Sequence, residues 1–521
     1  MSSAVSDASG AVGLKGPIFA GIHNLQLIAG AILAIFVLRL IVFRFTSPLA
    51  KLPGPEISKW TRLVFLYHYF AGDGTRYVHS LHEEYGPIVR VGPERVDICD
   101  AYAVKDIHNI HSTFRKSKYY SYLVGGRVET MFSTSDPKFH GQRRRLLGSA
   151  LSDSALVKLE TQITSRVSLA IRRIAEEMQA RKTADILKWW LFMATDIIGE
   201  LSFGESFQML ETGEVRSTTS ASWKSGAELT CHRQKNDYIA ALESIASSEP
   251  FRTNFPHALP WIARLFPLPK FKRALKLVQS LILYSTQSLR RYTKMLEDSP
   301  NPKQTLFTKI FEKGDLSFEE IRQEAQAYIV AGSDTTSNTL TYLVYTVSRH
   351  PEIQARLVAE VAALPEGYSD NDLRELPYLN HVILETLRLH TAVPGGLPRD
   401  VPPGGYNFNG FFIPPAMMVT TQAYSLHRDP AAFPDPESFR PERWEDPTQA
   451  MKDMSFPFGG GSRICIGIHL AKMELRLATA MFFRRFPHAH MSSREGMTTD
   501  DMEMKAWFLM TPKGGRCLME A

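Results

Sequence analysis

The chain has 521 residues, 44% of them hydrophobic and 22% charged, and its formal net charge is +6. These proportions are typical of globular proteins, and no extended basic tract indicates nucleic-acid binding. The four cysteines form no C-x-x-C pair, which argues against a disulfide framework and against a zinc site built from cysteines. No linker or repeat divides residues 57–521, so we expect them to form one large domain.

The N-terminal region contains one long apolar stretch, which predicts a transmembrane helix at residues 25–45. Apolar or small residues run from Leu27 to Leu38, and four more apolar residues follow Arg39. As a helix, Leu25 to Phe43 measures about 28 Å, close to the thickness of the hydrocarbon core. A cleaved signal peptide is the alternative, because the uninterrupted run is short.

The charges around this stretch predict its orientation. One basic residue, Lys15, precedes the stretch, whereas the basic residues at its end and after it are Arg39, Arg44, Lys51 and Lys59. The positive-inside rule therefore predicts a lumenal segment at residues 1–24 and a cytosolic domain. Between them, residues 46–56 contain Pro53-Gly54-Pro55 and predict a stiff hinge.

The next elements of the chain predict a mainly α fold with small β-sheets. Two β-rich runs, Ile88–Val91 and Val96–Ile98, flank Gly92-Pro93 and predict a hairpin. Apolar residues then recur at helical spacing from Asp153 to Ala180 and from Leu187 to Leu201. Between Gly204 and Pro260 the periodicity is too weak to predict elements.

The strongest helical pattern runs from Phe318 to Arg349. Ser317 and Glu320 form a capping box at its start, and Pro351 prevents its continuation. In the middle, residues 331–336 read Ala-Gly-Ser-Asp-Thr-Thr. Because glycine and short polar residues are poor helix formers, we expect a local distortion there.

A second helix, Leu379 to Leu389, contains the pair Glu385 and Arg388 in the spacing E-x-x-R. Residues three apart share a helix face, and such pairs are common on protein surfaces. Downstream, residues 439–444 read Phe-Arg-Pro-Glu-Arg-Trp.

The most informative segment is residues 458–467, Phe-Gly-Gly-Gly-Ser-Arg-Ile-Cys-Ile-Gly. Glycines around Cys465 would let backbone N–H groups approach a thiolate, and Arg463 supplies a fixed cation. The alternative is a glycine-rich turn that holds a buried cysteine. The segment fits F-x-x-G-x-R-x-C-x-G and resembles the haem-binding loop of the cytochrome P-450 family.

The resemblance implies a role for each residue of this loop. Cys465 would be the axial thiolate ligand of the iron in haem b, with Gly467 beside it. Phe458 would pack against the macrocycle, and Arg463 would bind a propionate. A thiolate ligand favours O–O cleavage, so the implied chemistry is oxygen activation.

The earlier motifs fit the same family. The segment at 331–336 resembles A-G-x-[DE]-T-[TS], in which Gly332 would leave room beside the iron, while Asp334 and Thr335 would serve oxygen activation and proton relay. The segment at 439–444 is similar to F-x-P-E-R, and Arg443 would then bind Glu385 and Arg388 in a buried structural network.

Three further residues are implied as propionate partners. His140 and Arg144 resemble the W-x-x-x-R signature, with His140 in place of the usual tryptophan and Arg145 as an alternative to Arg144. Arg399 resembles the basic residue of the strand after E-x-x-R. A solvated basic run is the other interpretation of residues 143–145.

The resemblance, which begins at Pro53, thus implies a single catalytic domain of the cytochrome P-450 fold behind a transmembrane helix in the endoplasmic reticulum. The activity would be monooxygenation of a bulky apolar molecule, as in fungal P-450s that make terpenoids, polyketides or alkaloids. Electrons would come from NADPH through a separate P-450 reductase, with cytochrome b5 as a further donor, because no dinucleotide motif follows the haem loop.

Two other functions remain open from the sequence. One is a haem-thiolate isomerase or dehydratase that needs no reductase, and the other is a non-catalytic haem-binding sensor. The presence of Asp334 and Thr335 argues against both. The candidates for the substrate pocket are residues 119–134, 327–335 and 392–397, together with a lid in the weakly periodic region.

Overall fold

The structure is a computed structural model that describes residues 16–124, 128–213, 249–256, 269–299 and 303–521. Most of the weakly periodic region predicted to hold the lid, and most of the predicted lumenal segment, therefore lie outside the described residues.

Helices make up most of the described chain. In chain order they are α1 (Gly16–Thr46), α2 (Glu56–Trp60), α3 (Leu63–Phe70), α4 (Gly74–Tyr85), α5 (Ala101–His108), α6 (Tyr119–Val124), α7 (Pro137–Gly148), α8 (Asp153–Val157), α9 (Glu160–Arg181), α10 (Ile186–Phe203), α11 (Met209–Thr212), α12 (Pro269–Asp298), α13 (Thr308–Lys313), α14 (Phe318–Ser348), α15 (Pro351–Ala362), α16 (Asp370–Arg374), α17 (Pro377–Leu389), α18 (Ala423–Leu426), α19 (Gln449–Met454) and α20 (Ile468–Arg485).

The strands are short. They are β1 (Ile88–Gly92), β2 (Arg95–Ile98), β3 (Arg115–Lys116), β4 (Ala184–Asp185), β5 (Arg399–Asp400), β6 (Tyr406–Phe408), β7 (Phe411–Ile413), β8 (Met418–Thr420), β9 (His490–Met491), β10 (Met504–Ala506), β11 (Met510–Pro512) and β12 (Leu518–Glu520). The prediction of a mainly α fold with small sheets is confirmed.

The largest sheet joins distant parts of the chain in the order β1-β2-β8-β5-β3. The predicted hairpin is confirmed, since β1 and β2 pair antiparallel with Ile88 opposite Ile98. At the other edge, β3 pairs antiparallel with β5, and Lys116 lies opposite Arg399. This pairing fixes the basic residues Lys116 and Arg399 next to each other.

Helix α14 crosses the centre of the main hydrophobic core. It packs against α10 and α20, and residues on all its sides are buried over its second half. The predicted capping box of Ser317 and Glu320 is present, and Arg349 caps the end before Pro351. Both boundaries follow from local chemistry that the sequence displays.

The expected distortion of α14 is not found. The helix is continuous from Phe318 to Ser348. Its short polar side chains bond backbone carbonyls one turn earlier, as Ser333 Oγ does with Ile329 O at 2.7 Å. These bonds let serine and threonine remain within regular helix instead of breaking it.

The N-terminal helix α1 contains the predicted span at residues 25–45 and extends further at its start. In the described part of the chain, no helix combines the length and the apolar character that crossing a membrane requires. The predicted transmembrane helix is thus not confirmed.

Candidate active site around Cys465

The loop that carries Cys465 lies against the end of α5. Gly461 has φ +58°, and a Cβ added there would lie 1.6 Å from the carbonyl oxygen of His108. Only glycine fits this approach. The Cys465 N–H donates to Phe458 O at 2.9 Å, which closes the loop before α20 begins.

Cys465 is a free cysteine that is accessible to solvent, although protein atoms pack closely around its thiol. Burial raises its pKa, whereas the Gly467 backbone N–H and the Arg144 guanidinium act in the opposite direction. Gly467 also caps the N-terminus of α20, whose dipole favours negative charge. The loop therefore supplies donors for a thiolate, the form of cysteine that binds iron.

Buried cations converge beside this loop. Burial, with Arg399 as the next cause, lowers the pKa of Arg463 to about 10. The Arg463 Nη1 is buried and has no hydrogen-bond partner among the described residues. Arg399 is also buried, and its Nη1 donates to Tyr120 Oη at 2.9 Å. An unpartnered guanidinium nitrogen beside a second arginine fits a bound carboxylate.

Lys116 adds a third cation that the sequence did not reveal. It is buried, lies opposite Arg399 across the β3–β5 pair, and has its pKa lowered by burial, by Arg399 and by Arg463. Like charges directly opposite each other destabilise a sheet unless an anion compensates them. This arrangement again fits the propionates of haem. In the sequence, Lys116 stands among other basic residues in 115–118 and nothing distinguished it.

His140 and Arg144 lie at the same site but have different surroundings. Burial, Arg463, Arg144 and Lys116 lower the pKa of His140 to about 3, so its imidazole is neutral near pH 7. Arg144 Nη1 donates to Ile464 O at 2.7 Å, next to Cys465. Arg144 thus contacts the cysteine loop itself, and its predicted propionate contact stays a prediction. Arg145 is exposed, which favours Arg144 over the alternative.

The polar residues of α14 are the other group that the sequence analysis assigned to the site. Thr335 Oγ1 donates to Ala331 O at 2.7 Å, and the Asp334 backbone carbonyl accepts from Asn338 Nδ2 at 2.8 Å. A Cβ added at Gly332 would lie 3.2 Å from Ile198 Cγ1 of α10. A side chain at Gly332 would crowd α10, and the predicted room beside iron stays a prediction.

Glu474 is a second residue that the sequence analysis missed. It is buried in α20, burial raises its pKa to about 8, and the Thr336 hydroxyl bonds it. Its Oε2 has no hydrogen-bond partner in the described part of the chain. A neutral, protonated carboxyl thus lies next to Thr336, the residue that follows Thr335. The only signal in the sequence was an acidic residue inside an otherwise apolar helix face.

Glu385 is the centre of a buried network. Arg388 donates to it through Nε and Nη2, at 2.9 and 2.7 Å, and both side chains are fully buried. Arg443 Nε donates to Glu385 Oε1 at 2.9 Å, and Trp444 Nε1 donates to Oε2 at 2.9 Å. The two arginines bind Glu385 rather than each other. The network connects α17 to the segment that leads into the cysteine loop.

Known proteins resemble the chain over most of its length. The family model described as Cytochrome P-450 matches residues 53–519. Cytochrome P-450 monooxygenase tazI of Aspergillus terreus is 47% identical over 495 residues, which cover 94% of this chain and 97% of that protein. Cytochrome P-450 monooxygenase orf2 of Aspergillus niger is 42% identical over 95% of this chain and 97% of its own length. Cytochrome P-450 monooxygenase aflV of Aspergillus parasiticus is 34% identical, with 95% of each chain covered.

Replacing Arg443 by alanine tests the structural role of the network. The Arg443 side chain is only 5% exposed, so its loss leaves the buried Glu385 charge short of one partner. Breaking a buried ion network costs about 3–5 kcal/mol. We expect Arg443→Ala to unfold at lower urea concentration and to accumulate with less haem per polypeptide.

Arg440→Ala is the matched control, because the Arg440 side chain is 51% exposed and pairs with the exposed Asp435. Such a surface pair contributes about 0–1 kcal/mol, so this variant should behave like the parent protein. Normal haem content and stability in Arg443→Ala, combined with slow turnover, would contradict the structural role.

Proposed function

The chain belongs to the cytochrome P-450 family and is a monooxygenase of the kind found in fungal secondary metabolism, and on this premise we propose that Cys465 is its axial haem ligand. The proposal is carried by the glycine-lined loop that presents the Cys465 thiol between Arg144 and the start of α20. Haem b with a thiolate ligand supplies oxygen activation when it is bound.

The buried cations would hold the two haem propionates. Besides burial, which is the main cause, Arg399 and Arg463 lower the pKa of Lys116, and Arg399 lowers the pKa of Arg463. Arg463 Nη1 lacks a partner among the described residues. A dianionic ligand would compensate this repulsion, and neutral His140 could donate an N–H. Arg144 would brace the thiolate loop through Ile464, and Phe458 would cover it on the side of the core.

Asp334 and Thr335 would handle protons during catalysis. The Thr335 hydroxyl proton points to Ala331 O, which leaves the Oγ1 lone pairs available to accept a hydrogen bond. Glu474 would hold a proton near neutral pH, and it is bonded by the hydroxyl of Thr336, the residue after Thr335. These groups could pass protons to a reacting atom.

The substrate is proposed to be a bulky apolar secondary metabolite. Aromatic rings of Tyr119, Tyr120, Phe132 and Phe508 contact each other next to the cationic cluster, with centroids 5.5 to 6.4 Å apart. Such a wall suits a large apolar molecule. Terpenoids, polyketides and alkaloids all satisfy this description.

The electron supply and the location are part of the same proposal. A separate NADPH–cytochrome P-450 reductase would deliver the electrons, with cytochrome b5 as an additional donor. The protein would lie at the endoplasmic reticulum membrane, with its domain in the cytosol. Supporting this, α1 exposes apolar side chains over much of its length, such as Leu33, Ile35 and Phe45 at 63%, 67% and 72% exposure.

Cys465→Ser tests the ligand. The reduced, carbon monoxide-bound parent should absorb at about 450 nm, the band that names the family, and the variant should lose it because serine supplies no thiolate. Cys99→Ser makes the same change at a buried cysteine in a different hydrophobic cluster and should keep the band. A Cys465→Ser protein that retained the band would refute the assignment.

Thr335→Ala tests the proton relay and the monooxygenase chemistry. The change removes a hydroxyl with little change in helix packing, so haem content and substrate binding should be preserved. General acid–base groups contribute about 10²–10⁴-fold, although water can replace part of a hydroxyl's role. We expect NADPH consumption to continue while product falls and hydrogen peroxide rises.

Thr341→Ala is the control for the preceding variant, because Thr341 makes the same type of bond, to Ser337 O at 2.7 Å, further along α14. It should leave coupling unchanged. Unaltered coupling in Thr335→Ala, together with turnover that needs no reductase, would favour the isomerase or dehydratase instead.

Deleting residues 1–45 tests the membrane proposal. The deletion ends before Ser47 and Leu49, which are buried, and it preserves the 3.0 Å bond from Arg90 Nη1 to Leu49 O. We expect the shortened protein to bind haem and to leave the membrane fraction, whereas a deletion of residues 1–24 should remain there. A soluble full-length protein would contradict the proposal.

A further inference from the structure

Two buried charged side chains hold one short stretch of backbone from opposite sides. Glu324 Oε1, on α14, accepts the Met131 N–H at 2.7 Å. Lys116 Nζ, on β3, donates to the carbonyl oxygen of the next residue, Phe132. A carboxylate and an ammonium therefore grip adjacent residues of the segment that joins α6 to α7.

The burial of these charges makes the contacts specific. Glu324 is 2% exposed and Lys116 is 8% exposed. A buried charge is tolerated only where hydrogen bonds satisfy it, and here backbone groups of Met131 and Phe132 provide them. The turn at Thr130 adds local rigidity, because its carbonyl accepts the Thr134 N–H at 3.0 Å.

The backbone held in this way carries the Phe132 ring. The ring centroid is 5.5 Å from that of Tyr120 and 5.9 Å from that of Phe508, and Lys116 Nζ lies 4.3 Å above the ring. Phe132 is thus a central member of the aromatic wall next to Arg399 and Arg463. A shift of the Met131–Phe132 backbone would move this ring.

We propose that Glu324 and Lys116 are positioning residues that fix the Phe132 ring and thereby set the size of the ligand accepted above Cys465. The inference rests on the proposed function, because it takes the space beside the aromatic wall as the substrate site. It adds a determinant of substrate size that acts through the backbone, without contact between either charged group and the substrate.

We call Glu324 and Lys116, with their bonds to the Met131 and Phe132 backbone, the clamp. The charges around the two residues give the clamp a pH dependence. Burial raises the pKa of Glu324 to about 7, with Arg143 of α7 opposing and Glu320 of its own helix adding to the rise. Tyr328 is the other titratable group coupled to Glu324. Above pH 7 the ionised carboxylate accepts a charge-assisted bond from Met131, and below pH 7 the neutral acid accepts a weaker one.

Lys116 faces Arg399 and Arg463, which both disfavour its charge, and it lies near the neutral His140 imidazole. No carboxylate is among the causes that shift the Lys116 pKa. Its side of the clamp is therefore expected to depend on haem propionates, whereas the Glu324 side depends on pH. The test accordingly uses the holoenzyme and varies Glu324.

The experiment compares two azole probes, imidazole and 4-phenylimidazole, by spectral titration of holoenzyme between about pH 6 and pH 8.5. Glu324→Gln keeps an oxygen that accepts from Met131 but cannot ionise. The protonation of each azole changes with pH in the same way whichever protein is present. The ratio of the variant's dissociation constant to the parent's therefore reports only the effect of Glu324. We expect this ratio to depart from one by about three- to tenfold for 4-phenylimidazole above pH 7, and to return toward one below it.

Three controls make the result specific. Imidazole lacks the phenyl group that is expected to meet Phe132, so its ratio should stay near one at every pH. Glu320→Gln alters the carboxylate one turn earlier, which bonds Ser317 and Arg143 and not the clamped segment, and should leave the 4-phenylimidazole ratio near one above pH 7, where Glu324 is ionised in both proteins. In a Phe132→Ala background, Glu324→Gln should lose its size effect, because the ring that the clamp positions is gone.

Amide exchange supplies a readout that is independent of ligand binding. At the same pH, the Met131 amide should exchange faster in Glu324→Ala than in the parent, with Glu324→Gln between them. If the 450 nm band fails to form in the parent protein, the proposed function is wrong. If the band forms but the 4-phenylimidazole ratio stays at one at every pH, or both azoles change equally, the clamp alone is refuted.

Discussion

The convergence of buried positive charges next to the cysteine loop is the constraint on which the rest of the site depends. Lys116 and Arg399 lie opposite each other in antiparallel strands, and Arg463 approaches both. Their mutual repulsion in a buried location is unfavourable unless an anion binds between them. The cations fit the carboxylate-bearing cofactor proposed above, and the Arg463 Nη1, which has no hydrogen-bond partner among the described residues, is the clearest sign of this.

Rigid structure around the loop keeps these charges in place. Glu385 accepts from Arg388, Arg443 and Trp444, so one carboxylate connects a helix to the segment before the loop. At the other side, glycine at 461 allows the loop backbone to touch the end of α5. Both devices act before any cofactor binds, and they explain why residues far from the thiol matter for the site.

Polar groups buried in the helical core divide into two sets. Glu474 of α20 is bonded by the Thr336 hydroxyl of α14, and together with Asp334 and Thr335 it is proposed to transfer protons. Glu324 lies nearer the start of α14 and bonds backbone, which suits positioning. Burial raises the pKa of Glu474 on α20 to about 8 and that of Glu324 on α14 to about 7, so the same physical effect acts on two carboxyls at separate places in the core.

The sequence by itself determined the features that depend on neighbours in the chain. The boundaries of α14 follow from a capping box and a proline, the β1–β2 hairpin follows from its glycine-proline turn, and the loop around Cys465 follows from glycine spacing. Only the tertiary structure decided which charges meet. Lys116 and Glu474 are ordinary residues in the sequence, and their roles arise because burial and partners more than a hundred residues away determine their electrostatics. Gly332 shows the same limit, since only the tertiary structure places it against Ile198 on another helix.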